Sequence, residues 1–321
     1  MKRLHTRSLA VALAVLVVAA AAQAQLPGGR ATSDPRSTDV TSEQAQLPGV
    51  KSQTAWTHRA DQAGALGEGY RSSSVSFDRD GNPLEQLAYD ENGTVLQKVV
   101  NTYDDERRLI ESVSEEHTGI GNARTVFAYE GERIGGTTAY RLDGSLLVAT
   151  SYVYDGDGNV LSVLTEVPDA DISQRIEWEY SADGGVIDMV NYDSAGSVVV
   201  ASRTVSDGDG RPLESTSFLP DGTVGTVTSH EYDSDGQLLE IVARDAEGTV
   251  LQIVSRVYDL DGQIVELVTA NPLAGIEQRV VVEYDEVGKR LTEQTYNKLG
   301  QLVSETRYEY EYYEVQGDAQ E

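Results

Sequence analysis

The stretch EYDSDGQLLE, from Glu231 to Glu240, is nearly repeated as RVYDLDGQIVE, from Arg256 to Glu266. Gly236 in the first copy and Gly262 in the second lie 26 residues apart. Related Asp-x-x-Gly phrases recur through residues 77–312, and the gaps between their glycines mostly alternate between 12 and 14 residues. A fixed period of this length is typical of a repeat array. The sequence therefore predicts about nine 26-residue units, each with two turns.

Each repeated phrase has the composition of a tight hairpin turn. The leading Asp can accept hydrogen bonds from the turn backbone, and the Gly takes a left-handed conformation at little steric cost. Arg107 and Arg133 stand in the glycine slot after YDDE and YEGE, and degraded turn sequences occur near residues 119, 170 and 274. The segments between turns are rich in Val, Ile, Leu, Thr and Tyr. They predict about eighteen antiparallel strands and no helix in the mature chain.

The spacing also predicts which residues form the core. Successive strand residues point to opposite faces, so even steps are expected to return every unit to the same face. The third residue after the Gly is apolar in nearly every unit, and we assign this position to the core: Leu84, Leu96, Leu147, Leu161, Ile187, Val199, Leu213, Leu239, Leu251, Val265, Leu291 and Val303. The step from Arg133 to Gly144 is 11 residues, and we expect a bulge or broken register there.

The number of strands has a consequence for the shape of the sheet. About eighteen strands placed about 4.8 Å apart would make a flat sheet about 85 Å wide. Open flat sheets of that width are unusual, and no helix is predicted to cover the apolar face. We therefore predict an all-β fold, an antiparallel β-hairpin repeat array that forms a long curled or spiralling sheet and closes wholly or partly around that face.

The N-terminal region predicts export. Residues 1–24 combine a basic start, an apolar run and an Ala-Gln-Ala cleavage sequence, as in a signal peptide. Residues 25–68 carry few large apolar side chains and are assigned to a disordered linker. Residues 69–313 are assigned to the β-repeat domain and residues 314–321 to a disordered acidic tail. We expect a periplasmic, secreted or cell-surface protein.

Composition excludes several classes of partner and chemistry. The chain has 53 acidic residues against 25 Lys and Arg, a net charge of −28, so nucleic acid and anionic lipid are poor partners. It contains no Cys, which excludes disulfides, thiol catalysis and Cys-zinc sites. No helix-breaking glycine loop for phosphate, metal-binding His pair or nucleophile motif is present, so no enzyme and no required cofactor are predicted.

A tyrosine recurs four residues before the turn Gly, beside the second residue after it. Two interpretations follow from this placement. In the first, each ring is a cross-strand clamp that pins its hairpin. In the second, the rings form a row of aromatic platforms for a glycan, with these candidate ligand-binding residues: Tyr154, Tyr180, Tyr192, Tyr232, Tyr258, Tyr284 and Tyr296.

One acidic turn has the spacing of a calcium loop. Asp155, Asp157, Asn159 and Glu166 stand at positions 1, 3, 5 and 12 of an EF-hand-like sequence. Val160 occupies the position where such a loop needs Gly, and no flanking helices are predicted. A hairpin turn explains the sequence better, and weak calcium binding is kept as an alternative.

The segment EYDSDGQLLEIVARDAEGTVLQIVSRVYDLDGQIVELV resembles the Rhs/YD-repeat family, whose units carry a Tyr-Asp-x-x-Gly-x-Leu core. Matching segments include Tyr154-Asp155 with Gly158 and Tyr232-Asp233 with Gly236. The resemblance implies long antiparallel sheets that wind into shells on exported proteins, with roles in carbohydrate binding, cell-surface contact or toxin encapsulation. The unit here is longer than the family's usual one, and we expect repeats without a toxin domain.

These observations favour an exported, non-enzymatic β-repeat protein. We expect a binding or structural module in the cell envelope or outside the cell, with a glycan or an envelope protein as its partner. The alternative is an outer-membrane β-barrel, for which the signal peptide, the absence of Cys and the even number of strands all speak. Charges such as Lys98, Glu293 and Glu305 would then face lipid, so membrane insertion is not favoured from the sequence.

Overall fold

The structure, a computed structural model, describes residues 47, 49–119 and 121–314. The signal peptide predicted for 1–24 and the tail after residue 314 lie outside the described residues. Within them are twenty strands and one short 3-10 helix, so the predicted all-β array of antiparallel hairpins is confirmed. The fold has a central unit, residues 123–280, and a terminal unit that combines described residues of 39–122 and 281–321.

The strands are short and follow the predicted turns. The terminal unit contains β1 (Val50–Arg59), β2 (Tyr70–Phe77), β3 (Pro83–Tyr89), β4 (Val95–Tyr103), β5 (Leu109–Glu116), β19 (Arg290–Asn297) and β20 (Leu302–Tyr312). The central unit contains β6 (Ala123–Glu130), β7 (Arg133–Tyr140), β8 (Leu146–Tyr154), β9 (Val160–Val167), the 3-10 helix Pro168–Ala170, β10 (Ile172–Tyr180), β11 (Val186–Tyr192), β12 (Val198–Ser206), β13 (Pro212–Phe218), β14 (Val224–Tyr232), β15 (Leu238–Asp245), β16 (Val250–Tyr258) and β17 (Ile264–Asn271). The boundary between the units falls within β18 (Ile276–Tyr284).

The first described strand corrects the predicted linker. Residues 25–68 were assigned to a linker, but 50–59 form β1, which pairs antiparallel with β2 on one side and with β20 on the other. Val50 and Ala55 of β1 are buried, and the Gln53 amide donates to the Tyr310 hydroxyl at 3.1 Å. The polar composition of this segment hides the strand because backbone pairing with two neighbours holds it in place.

Pairing of the first strand with the last settles how the strand order ends. All twenty strands belong to one antiparallel sheet. In the central unit each of β6 to β17 pairs with the next strand of the chain, and in the terminal unit the order is β19-β20-β1-β2-β3-β4-β5. The sheet therefore has the strand order of a closed β-barrel, in agreement with the predicted closure.

The turns form as the sequence predicts. At the β14–β15 turn the Gly236 amide donates to the Asp233 carbonyl at 3.2 Å, and the Asp233 carboxylate accepts the amides of Asp235 and Gln237 at 2.9 and 2.8 Å. Gly236 has a φ of +87°. Arg107 occupies the same slot with a φ of +66°, as predicted. Arg133 does not, because the preceding turn closes at Gly131 with a φ of +65° and Arg133 begins β7.

A β-bulge after the turn overturns the predicted core position. At the β14–β15 hairpin, Tyr232 pairs with Leu238 but Glu231 pairs with Glu240, which leaves Leu239 without a partner across the strand. Equivalent register shifts occur in the other hairpins, including the one after Arg133, which is therefore not exceptional. The bulge adds one residue to one strand of the pair. Consequently the third residue after Gly is the bulged residue.

The extra residue changes which residues share a face. Beyond each bulge, even-numbered residues of one strand pair with odd-numbered residues of the next, as Ile241 does with Val254. The expectation that even steps keep every unit on one face is therefore wrong. Leu96, Leu213 and Val303, all assigned to the core, are 43–44% exposed.

In the central unit the register separates a buried face from a charged face. The buried face contains the most buried residues of these strands: Phe127, Thr137, Ala139, Val148, Thr150, Val167, Ile241, Val254 and Leu267. The charged face contains the charged side chains of the same strands: Glu166, Arg175, Glu177, Glu179, Asp188, Arg203, Glu214, Glu231, Glu240, Arg244 and Glu266. Charge, rather than the position after Gly, marks the two sides.

The terminal unit has the same division. Ala55, Val75 and Phe77 are buried on the face that also carries Tyr308 and Tyr310. The opposite face carries ion pairs across neighbouring strands, such as Lys98 with Glu85 at 2.8 Å. Buried and charged faces are therefore a property of each unit by itself.

Candidate functional site

Tyrosine hydroxyls fasten the open ends of the hairpins. Each tyrosine at the end of an even-numbered strand donates to the backbone carbonyl of the residue 20 positions earlier, near the start of the preceding strand. In the central unit these bonds, which we call the tyrosine clasps, are Tyr154 to Ile134 at 2.8 Å and Tyr180 to Val160, Tyr232 to Pro212 and Tyr258 to Leu238 at 2.9 Å. The terminal unit has the same bond from Tyr103 to Pro83 and from Tyr310 to Arg290. The clasps have the geometry expected of a cross-strand clamp.

The seven predicted ligand-binding tyrosines do not form one row. Tyr154, Tyr180, Tyr232 and Tyr258 lie on the buried face of the central unit, with hydroxyls engaged in clasps. Tyr192 lies on the charged face, where the Arg175 guanidinium stands 4.9 Å from its ring centre. In the terminal unit the Tyr296 hydroxyl donates to Gln294 at 2.6 Å, and Tyr284 ends β18. The bulges separate the set, because each one changes the face on which the next tyrosine lies.

Burial keeps the clasp tyrosines protonated. Burial raises the pKa of Tyr154, Tyr180 and Tyr232 above the ordinary value of a phenol. The neighbouring Tyr152, whose ring stacks on Tyr154 with centres 6.4 Å apart, has its pKa raised to about 12 by burial. These hydroxyls therefore act as hydrogen-bond donors at neutral pH. Glycan binding by the tyrosines stays a prediction.

The calcium candidate is not assembled by the fold. The Asp155 carboxylate accepts the amides of Asp157 and Asn159 at 2.9 and 2.8 Å through one oxygen and the Asn159 side-chain amide at 2.8 Å through the other. Glu166 lies near the far end of β9, about 20 Å of extended strand beyond Asn159. Among the described residues no group of three or more His, Asp or Glu is placed to hold a metal ion. Asp155 thus serves the turn.

Hydrogen bonding tunes the turn acids. The Asn159 amide, through its side chain and then its backbone, holds the pKa of Asp155 below 3.8, the ordinary Asp value. The backbone amide of Arg108 does the same for Asp104, and that of Arg211 for Asp207. Carboxylates in such turns are ionised at neutral pH and have no raised pKa of the kind that a general acid needs.

The buried face of the central unit contains polar atoms that sequence reasoning missed. Asn191 Oδ1, Thr137 Oγ1, His230 Nδ1 and Arg256 Nη1 are buried and make no hydrogen bond to the described residues. The sequence signal for Arg256 was its position in β16, but the wrong face assignment concealed it. The charged face, in contrast, pairs its arginines: Arg203 contacts Asp188 at 2.7 Å and Arg279 contacts Glu266 at 3.0 Å.

Comparison with known proteins adds three similar solved structures. No family model and no curated protein matches the chain. The TcdB2-TccC3-TEV crystal structure is 14% identical with a TM-score of 0.27; the match covers 77% of this chain and 18% of that one. A porin-like protein from Bacteroides uniformis ATCC 8492 is 9% identical with a TM-score of 0.33, covering 82% and 96% of the two chains. A porin-like protein from Bacteroides vulgatus ATCC 8482 is 12% identical with a TM-score of 0.28, covering 83% and 99%.

These likenesses are limited in what they say. This chain spans about a fifth of the TcdB2-TccC3-TEV chain, and all three TM-scores lie below 0.5. The resemblance to the Rhs/YD-repeat family therefore has support among similar structures but none from a family model. No helix within the described residues is both long and apolar enough to cross a membrane.

Proposed function

We propose that the protein is an exported, non-enzymatic β-barrel of the cell envelope whose charged face meets water. The closed strand order fits a barrel, the alternative raised by the sequence, better than an open binding module. The observation that carries the proposal is the segregation of charge: strand carboxylates and guanidinia share one exposed face, and the buried side chains share the other. Such a face is suited to water and to protein partners.

The charged face is organised as well as solvated. Arg203 makes two bonds to Asp188 at 2.7 and 2.8 Å, and the Trp56 indole donates to Glu309 at 3.0 Å. Exposed pairs of this kind add about 0–1 kcal/mol each, so their role is to order the surface rather than to hold the fold. A glycan or another envelope protein remains the proposed partner.

A second candidate is insertion in the outer membrane. The pairing of β1 with β20, strands of 7–11 residues and short turns favour it. In that setting the exposed charged face would meet lipid, and each Arg or Lys near the bilayer centre would cost about 2–4 kcal/mol. The insertion would therefore require Arg175, Arg203 and Arg244 to lie away from the bilayer centre.

Detergent-free fractionation separates the two candidates. The full chain is expressed with its own signal peptide, and each envelope fraction is recovered with and without detergent. We expect the mature chain in the aqueous fraction as a β-rich, compact species by circular dichroism and size exclusion. Recovery only from the outer membrane, with detergent, would establish the second candidate instead.

Labelling of single cysteines tests the faces directly, because the chain has no Cys of its own. The variant Glu177→Cys places a thiol on the charged face, and Thr228→Cys places one on the buried face as the matched control. A membrane-impermeant maleimide should modify the first variant rapidly and the second slowly in the detergent-free sample. Protection of the first variant by lipid vesicles would contradict the aqueous face.

A further inference from the structure

The buried face of the central unit carries one permanent charge outside the turns. Between residues 124 and 270, the described strand positions on this face are uncharged except Arg256 and the turn residue Asp245. Arg256 of β16 belongs to this face because it pairs with Leu267, which is 5% exposed. Its Nη1 atom is buried without a hydrogen-bond partner, and Arg256 forms no ion pair with the described residues. This arginine is the exception in a chain that pairs its other strand arginines.

A histidine lies on the same face one hairpin away. His230 pairs with Ile241, which pairs with Val254, two residues before Arg256. The His230 Nδ1 atom is also buried and unpartnered. Burial lowers the pKa of His230, the Arg256 charge lowers it further, and a hydrogen bond with the Leu213 backbone opposes both. The charge of Arg256 also reaches Tyr232, the next tyrosine on this face. The three side chains therefore share one positive environment.

An unpaired guanidinium among apolar side chains is unfavourable in the protein alone. Buried polar groups are hydrogen-bonded as a rule, and buried charges are paired. The chain has 53 acidic residues against 25 Lys and Arg, so carboxylates are abundant. None of those in the described strands is placed beside Arg256, although Asp188 and Glu266 serve the arginines of the opposite face. The buried position is therefore complementary to an anion supplied from outside the chain.

We propose that Arg256 and His230 form a binding site for a small oxyanion group on the buried face of the central unit. The guanidinium offers the planar pair of N–H donors that carboxylate, phosphate and sulfate groups accept. The imidazole adds a donor once an anion is beside it. Ile241, Val254 and Leu267 provide an apolar surround, in which these electrostatic contacts are stronger than in water. The ligand is thus a small acidic molecule or an acidic sugar.

Titration with defined anions tests the site. The purified mature chain is titrated separately with sodium phosphate and with glucuronate, against sodium chloride at matched ionic strength. The readouts are the His230 imidazole signal in NMR, assigned with the variant His230→Gln, and the melting temperature. We expect a saturable shift of the signal and a rise in melting temperature with at least one oxyanion, and no comparable change with chloride.

Two variants and one control make the assignment specific. Arg256→Gln should weaken binding by about tenfold or more, the size of a lost charged hydrogen bond. Arg256→Lys keeps the charge but loses the planar fork, and it should bind with intermediate affinity. Arg244→Gln is the matched control, since Arg244 lies on the charged face and donates to Ser229 at 3.1 Å. It should bind as the natural sequence does.

The possible outcomes are distinct from those of the fractionation experiment. Binding of phosphate alone assigns a site for inorganic or phosphorylated anions, and binding of glucuronate alone assigns an acidic-sugar site. Equal effects of chloride and both oxyanions, or unchanged binding in Arg256→Gln and Arg256→Lys, would overturn the proposal. The test reads the buried face only, so it stands whether the protein is recovered from the aqueous fraction or from the membrane.

Discussion

At the scale of single residues, the left-handed slot of the turn is the most sharply defined feature. Gly fills it in most turns, for example at Gly93 with a φ of +80°, whereas Arg107 fills it in the β4–β5 turn with a φ of +66°. A side chain in this conformation costs about 1–2 kcal/mol. The Asp104 carboxylate, which accepts the amides of Glu106 and Arg108, holds the turn nonetheless.

Replacing Arg107 with Gly should therefore stabilise the protein. The substitution relieves the left-handed strain, and it removes an exposed ion pair with Asp80 that contributes about 0–1 kcal/mol. We expect the free energy of unfolding to rise by about 0.5–1 kcal/mol in urea titrations. Gly93→Arg is the matched control in an equivalent slot and should lower it by about 1 kcal/mol. A loss of stability in Arg107→Gly would contradict the strain argument.

The turn acids predict how stability depends on pH. The folded pKa of Asp155 is below its ordinary value of 3.8, because the Asn159 amides bond to its carboxylate. Its ionised form thus stabilises the fold above the unfolded pKa, and this contribution is lost as pH falls through the lower, folded pKa. The protein should lose stability below about pH 4, since the other turn acids act in the same direction.

An asparagine in the same slot removes that dependence. Asn297 already forms such a turn, and its side-chain oxygen accepts the amides of Leu299 and Gln301 at 2.9 and 3.1 Å. We expect Asp155→Asn to be less stable than the natural sequence at pH 6 and to approach it at pH 2.5. Urea unfolding at the two pH values measures the change, with Asn297→Asp as the reciprocal control. A gap that widened in acid would rule out the bonded carboxylate.

At the scale of elements, the bulge decides what could be read from the sequence. Turn positions followed from Asp and Gly, and the pairing of Tyr232 with Leu238 followed from the turn geometry. The face of each strand did not, because Leu239 leaves the pairing register and changes the parity of all residues beyond it. An apolar residue at a bulge looks the same in sequence as an apolar residue of a core. The buried face, and with it Arg256, therefore required the structure.

The tyrosine clasps should contribute measurably to each hairpin. Tyr232→Phe keeps the ring but removes the bond from its hydroxyl to the Pro212 carbonyl, 2.9 Å in length. We expect a loss of about 0.5–1.5 kcal/mol in the free energy of unfolding, the usual net value of such a bond. Tyr192→Phe is the matched control, since its hydroxyl makes no hydrogen bond to the described residues. Equal losses in the two variants would mean that the clasp contributes nothing specific.

At the scale of the whole molecule, the chain ends carry the architecture. Repeat counting places strands wherever a turn phrase occurs, but β1 has no such phrase before it and was assigned to a linker. Its ten residues are polar, and their place is set by partners about 250 residues away, such as Tyr310 opposite Gln53. Long-range pairing of this kind leaves no local pattern. A closed strand order could therefore be expected only in outline from the width of the sheet.

A disulfide between the first and last strands tests this account most directly. Thr54 and Glu309 face each other in β1 and β20, and directly opposed residues of antiparallel strands lie within disulfide reach. The double variant Thr54→Cys with Glu309→Cys, exported to an oxidising compartment, should form an intramolecular bond, seen as a single cross-linked peptide by mass spectrometry. Each single variant should remain a reduced monomer. A double variant that folds to the same β-rich state yet stays reduced, or links only between chains, would contradict the pairing on which the closed strand order depends.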